Sequence, residues 1–130
     1  MKTLEEVRKE FESDRFATEN GAVVESFGEK TAVCALTLTS RHRNAMGNVM
    51  GAVYFTLADF AFAVATNNEK MSTVSLTSEI SFFGQPKDDR LTAEAVCVKD
   101  GRSTCYYRVD VKDGTGRICA AVSITGYHLG

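Results

Sequence analysis

The sequence predicts an α+β domain in which a curved antiparallel sheet wraps one long buried helix. Two observations carry this. Residues 49–65 form an apolar run whose only charge is Asp59, and a helix apolar on all sides has to be covered on all sides. Around it stand six strand-length apolar runs, two before and four after, separated by turn residues. A flat sheet covers one side of a helix, so the sheet is expected to bend around it.

Each element follows from local pattern. Leu4, Val7 and Phe11 recur at helical spacing, which predicts a short amphipathic helix from residue 3 to about 14. Residues 21–27 and 30–39 read as two strands joined at Gly28-Glu29. Residues 40–48 are polar, with Gly47 near their end, and lead into the buried helix, which Thr66-Asn67-Asn68 closes. Residues 73–83 follow as a strand, with Val74, Leu76, Ile80 and Phe82 expected on one face. Further strands are expected at 91–98, 104–112 and 117–126, with turns at Lys99-Asp100-Gly101-Arg102 and Lys112-Asp113-Gly114-Thr115-Gly116. Strands three to six are expected to form a meander. No repeat or linker interrupts the 130 residues, so one domain over 1–130 is expected.

Composition excludes several functions. A net charge of −2 argues against a general nucleic-acid binder, because phosphate binding needs a basic face. The opening Met-Lys-Thr-Leu-Glu-Glu-Val-Arg-Lys-Glu is too charged for a signal peptide, so a cytoplasmic protein is expected. The buried helix is short for a membrane span and carries Asp59 near its middle, so no membrane role is expected. Cys34, Cys97, Cys105 and Cys119 form no C-x-x-C pair and sit in strand-like runs, which predicts free thiols. With two histidines and no ligand-like spacing, no metal is expected, and no cofactor either.

Asp59 is the residue that points to chemistry. Burial raises a carboxylate's pKa and donors lower it, so a carboxylate in an apolar helix is either tied to a backbone amide or is a base or nucleophile. The helix entry offers a second group. Unpaired N–H groups at a first helical turn bind anions, and Gly51 leaves the backbone open to a substrate carbonyl. Gly51 and Ala52 are also small enough to serve packing alone. Gly51 and Asp59 stand eight residues apart, about 12 Å along one helix. A base and an oxyanion donor that share one carbonyl both lie within about 3 Å of it. If both act, the site forms between two antiparallel copies of the helix, and the protein is at least a dimer, with a tetramer expected.

The segment His42-Arg43-Asn44-Ala45-Met46-Gly47-Asn48-Val49-Met50-Gly51-Ala52-Val53-Tyr54-Phe55-Thr56-Leu57-Ala58-Asp59-Phe60-Ala61 resembles the acyl-CoA thioesterases of the hotdog superfamily, in particular the PaaI-like, phenylacetic-acid-degradation type. That family's pattern is H-x-N-x-x-G-x-x-H-G-G-x-x-x-x-L-x-D-x-A. The resemblance implies the hotdog fold and an acyl-CoA substrate of small or medium, including aromatic, acyl group. It implies Asp59 as general base or nucleophile and Gly51 N–H as the donor to the thioester carbonyl. It further implies Asn44 as a positioning side chain and Ser75 as a hydroxyl that orients the water. His42 is expected to be structural. Met50 and Ala52 depart from the family's His and second Gly and stand at substrate-binding positions. Lys99, Arg102 and Ser103 on the hairpin turn are implied contacts for coenzyme A, with Arg41 and Arg43 as a second cationic pair. Tyr54, Phe55, Phe60 and Phe62 are candidates for the acyl pocket or for plain core. A non-catalytic acyl-CoA-binding module is the alternative, with Met50 as its best support. A hotdog dehydratase is disfavoured because those enzymes pair a His with an acid, and no His lies on this helix. Asp59 argues against a purely structural domain.

Overall fold

The computed structural model describes residues 1–130. Helix α1 (Leu4–Phe11) begins with a capping box in which Thr3 and Glu6 satisfy each other's backbone N–H groups. Arg8 Nε donates to Val24 O at 2.7 Å and fixes α1 on the first strand. A second short helix, α2 (Arg15–Glu19), follows. The first helix stops at Phe11, short of the expected end near residue 14, and α2 starts just beyond that stretch. Strands β1 (Val23–Gly28) and β2 (Thr31–Thr37) pair antiparallel. Their turn is Glu29-Lys30, one residue later than expected, with Lys30 in the left-handed region at φ 59°.

Helix α3 (Gly51–Asn67) is followed by β3 (Thr73–Phe82), β4 (Arg90–Asp100), β5 (Thr104–Asp113) and β6 (Ile118–His128). The sheet order is β1-β2-β4-β5-β6-β3. Thus β4, β5 and β6 form the expected meander, but β3 does not open it. It crosses over and pairs with β6 at the far edge. Within β3 the register shifts between Ser75 and Thr77, and a bulge moves every later side chain to the other face. Val74 lies opposite Tyr127 whereas Ile80 and Phe82 lie opposite the buried Val122 and Ala120. The single face expected for Val74, Leu76, Ile80 and Phe82 is therefore split.

The core lies between α3 and the concave sheet face. Leu57, Ala58, Ala61 and Val64 of α3 are buried against Leu91, Ala93, Ala95, Val109, Val111, Val122 and Ile124. Phe62 meets Tyr107 edge-on, with ring centres 5.4 Å apart. Gly126 allows this contact, because a Cβ there would stand 2.8 Å from Phe62 Cζ and 2.7 Å from Cys105 Sγ. All four cysteines are free thiols, and burial pushes Cys34 up to about 12. No helix is long and apolar enough to cross a membrane.

The C-terminal end of α3 is tied to the sheet by Asn67. Its Oδ1 accepts from Ser72 N at 2.9 Å and Thr73 N at 2.8 Å, and its Nδ2 donates to Thr73 O. From there a chain of bonds crosses to the hairpin turn. Thr73 Oγ1 is 2.9 Å from His128 Nδ1, His128 Nε2 is 2.8 Å from Asp100 Oδ1, and Lys30 pairs with Asp100 Oδ2. Cys105 joins Asp100 and His128 in a group whose donor atoms lie within 4.8 Å of one another. Three strand ends make this cluster, so no local spacing announced it. Its carboxylate and imidazole already partner each other, Lys30 and Thr73, and it serves as a clamp on the strand ends.

Candidate active site

Asp59 stands midway along α3 and is half-buried. No protein donor bonds its carboxylate, which opens on a cavity of about 470 Å³ walled by Asp14, Phe16, Ala17, Phe55, Thr56 and Phe60. Burial raises its pKa above the ordinary carboxylate range, and the negative charge of Asp14 raises it further. Burial also raises Asp14 itself. Asp59 is thus not tied to an amide; it is a carboxylate strengthened as a base and facing open space.

Gly51 is the first residue of α3, and Met50, its N-cap, offers no side-chain cap. Among the backbone bonds outside regular elements, Met50 N–H donates to His42 O and Val53 N–H to Met50 O, but those of Gly51 and Ala52 donate to nothing. Two free donors therefore stand at the helix entry. A Cβ on Gly51 would come 2.8 Å from Phe82 Cε1, so glycine also lets the Phe82 ring lie close against the helix start. Tyr54, Phe82, Phe83, Gly84 and Gln85 surround Gly51 in a second cavity that Asp59 does not line.

Asn44 is exposed and shapes the loop before α3. Its Oδ1 accepts from Met46 N at 3.0 Å and Asn48 N at 3.1 Å, and its Nδ2 has no partner. Gly47 takes φ +83° in the same turn. His42 is buried with both ring nitrogens engaged. Thr39 N–H donates to Nδ1 at 2.9 Å, so Nε2 carries the proton and donates to Asn20 O at 2.6 Å. Arg41 donates to Glu19 O at 2.6 Å and Arg43 to Gly47 O at 3.2 Å, so both cations are committed to backbone carbonyls. Met50 and Ala52 line a third cavity, of about 150 Å³, with Phe16, Val53 and Thr56.

The remaining residues singled out by sequence lie elsewhere in the chain. Ser75 is exposed on the edge strand β3. Lys99, Arg102 and Ser103 are exposed at the β4–β5 turn, and neither cation has a side-chain partner. The Asn67–Thr73–His128–Asp100 bonds put this turn beside the C-terminal end of α3. Gly51 sits at the other end, about 24 Å away along the helix. Likewise Ser75 stands about 23 Å along β3 from Phe82, which covers Gly51. One chain therefore holds two half-sets: Asn44, Met50, Gly51 and Ala52 at one end, Ser75, Lys99, Arg102 and Ser103 at the other, with Asp59 between. Sequence reasoning missed Asp14, Phe16 and Thr56 beside Asp59. Thr56 precedes Asp59 by three residues and shares its helix face; α2 is too short to leave a periodic signal.

The family model described as the thioesterase superfamily matches residues 46–120. Acyl-coenzyme A thioesterase PaaI of Escherichia coli K12 is 30% identical over 121 residues, covering 92% of this chain and 86% of that protein. Two other curated relatives, from Deinococcus radiodurans and Archaeoglobus fulgidus, are longer, and the alignments span 55% and 66% of their lengths. Among solved structures, a variant of the phenylacetic acid degradation protein PaaI from Thermus thermophilus superposes with a TM-score of 0.83 at 31% identity, covering 89% of this chain and 100% of that one. A hypothetical thioesterase from Streptococcus pneumoniae, solved with coenzyme A, gives a TM-score of 0.81 at 25% identity, covering 92% and 97%. With more than half of its length inside the family model and a PaaI relative aligned over nearly all of it, the chain belongs to the thioesterase superfamily, as a PaaI-like protein with the hotdog fold.

Proposed function

We propose that this protein hydrolyses the thioester of a small or medium acyl-CoA, at sites built between two chains. The observation that carries the reading is Asp59: a half-buried carboxylate on α3, without a protein donor, raised in pKa and open to a cavity. As the base, its ionised form takes a proton from water that attacks the thioester carbonyl. The developing oxyanion rests on the Gly51 N–H, which has no acceptor of its own. Coenzyme A leaves as a thiolate, a weak base that needs little acid assistance. Acting as a nucleophile instead, Asp59 would form an acyl intermediate that water then clears. The raised pKa keeps Asp59 a stronger base than an exposed carboxylate, and turnover is lost as pH falls through that value.

Geometry supports the two-chain site. Strand β3 pairs on one side only, and its other edge is free. Val74, Leu76 and Phe82 on it are 45%, 58% and 56% exposed, too apolar for a bare edge. Antiparallel pairing of β3 with a second copy would run the two α3 helices in opposite directions. Ser75 and the Lys99–Arg102 turn of one chain would then approach the Gly51 end of the other. Asn44 Nδ2 would be free to orient the thioester, Ser75 the water, and Lys99, Arg102 and Ser103 would take the phosphates of coenzyme A. This arrangement makes a dimer the minimum unit and a tetramer a dimer of such pairs.

A panel of acyl-CoA esters with a free-thiol readout tests the activity, with Asp59→Asn as the control. The amide is nearly isosteric with the acid and takes no proton, so the variant should fold and lose turnover by orders of magnitude. A variant that keeps most of its turnover would reduce Asp59 to a structural acid. Met50, in place of the family's His, favours the second reading, a binder without turnover. That reading predicts calorimetric binding of acyl-CoA with no thiol released.

A further inference from the structure

The cavity that holds Asp59 and the smaller cavity beside it share two residues, Phe16 and Thr56. Along α3, Ala52, Thr56 and Asp59 follow one another at four and three residues, so they lie on one helix face. This face turns away from the sheet and carries small side chains. Helix α2 lies across it. The smaller cavity, of about 150 Å³, is walled by Phe16, Met50, Ala52, Val53 and Thr56. Its polar neighbours are engaged elsewhere: Arg41 on Glu19 O and His42 on Asn20 O and Thr39 N–H.

Phe16 is the unusual member. Its side chain is 75% exposed, yet its backbone is held from three directions. Asn20 Nδ2 donates to Phe16 O at 2.7 Å, Ala17 is buried beneath it, and Arg41 and His42 bond the carbonyls of Glu19 and Asn20. An exposed aromatic ring on an anchored backbone, standing between two cavities, is a wall that lacks its second surface.

Resting on the thioesterase reading, we propose that the groove between α2 and the Ala52–Thr56–Asp59 face of α3 is the acyl-chain subsite, and that Phe16 sets the chain length it accepts. A thioester carbonyl at Asp59 places its first carbons in the larger cavity and directs the chain past Thr56 toward Met50 and Val53. Arg15, the one cation at the larger cavity, is exposed and paired with Glu19, so this path offers the charged nucleotide no unpaired cation to replace its solvation. The ligand class is an unbranched aliphatic acyl group. At ~30 Å³ per water-sized group, the smaller cavity holds about five such groups, so a medium chain fits, with its first carbons beside Asp59 and about five more beyond Thr56. Phe16→Ala removes the wall and admits roughly two to four more carbons. Phe16→Trp thickens it and shortens the preferred chain.

The test is a series of saturated acyl-CoA esters from two to fourteen carbons, measured two ways. Hydrolysis by wild type, Phe16→Ala and Phe16→Trp gives kcat/KM against chain length. Binding by calorimetry to Asp59→Asn, alone and combined with each Phe16 change, gives affinity without turnover. The optimum is expected to move to longer chains for Ala and shorter for Trp, with about fourfold gained per newly buried methylene. Thermal melting should be unchanged, because the ring is exposed. Superimposable profiles for the three proteins in both measurements overturn the proposal. Profiles that shift in binding while wild type releases no thiol leave the subsite standing and overturn the thioesterase reading. Absence of binding at every chain length, with no thiol released by the wild type, overturns both.

Discussion

Gly51→Pro isolates one N–H group. Proline suits the first position of a helix, where its missing donor has no acceptor to lose. It also requires an extended residue before it, and Met50 already has φ −67° and ψ 141°. The substitution therefore removes the donor without unwinding α3. Loss of one oxyanion donor costs about 10²–10³ in kcat, or about 2.7–4 kcal/mol. Gly51→Ala is the counterpart that keeps the donor and adds only a methyl. That methyl meets the Phe82 ring at 2.8 Å, but Phe82 is 56% exposed at the sheet edge and can turn aside. A ring about 30° off its rotamer costs about 0.5–1.5 kcal/mol, so Gly51→Ala should lose no more than about tenfold. Both variants would be assayed for thiol release after melting curves have shown them folded. If Pro and Ala lose the same amount, or if Pro keeps most of its turnover, the Gly51 N–H is not the oxyanion donor, and glycine is there for Phe82.

Other outcomes follow from the same geometry. Asp14→Asn removes a negative charge that raises Asp59. If Asp59 is the base proposed above and acts ionised, the acid limb of kcat/KM should move to lower pH; a limb that stays or moves upward contradicts the coupling. Lys99→Ala with Arg102→Ala should raise KM about fivefold to tenfold at low salt, leave kcat unchanged, and lose its effect as salt is added. Asn67→Ala strands two backbone donors under the end of α3. It should cost about 2–4 kcal/mol in urea unfolding, and a cost under about 1 kcal/mol would show that water replaces the amide.

What was legible in the sequence is what local pattern encodes. The buried helix showed as an unbroken apolar run, Asp59 as its one charge, and β5 by the alternation of Cys105, Tyr107, Val109 and Val111, all four of them buried. Pairing partners are not local. Nothing between residues 73 and 90 states that β3 crosses to β6, and the bulge after Ser75 undoes an alternation that reads correctly on paper. Helix α2 spans five residues, barely more than one turn, and is fixed by Arg41 and His42 from a distant loop. The site residues divide in the same way. Gly51 and Asp59 were candidates from the sequence, whereas Asp14 and Phe16 stand beside Asp59 only because the fold lays α2 across α3.

The central claim is that each site takes Gly51 from one chain and Asp59 from another. Two inactive proteins, Gly51→Pro and Asp59→Asn, co-expressed in equal amounts with separable tags, test it most directly. In a heterodimer with shared sites, one site carries both changes and the other carries neither. Random pairing makes about half of the dimers mixed, so about one quarter of all sites should be intact. The account predicts about a quarter of wild-type turnover in the mixture, and about half in the purified heterodimer. Turnover no higher than that of either parent would place Gly51 and Asp59 in the same chain's site and contradict it.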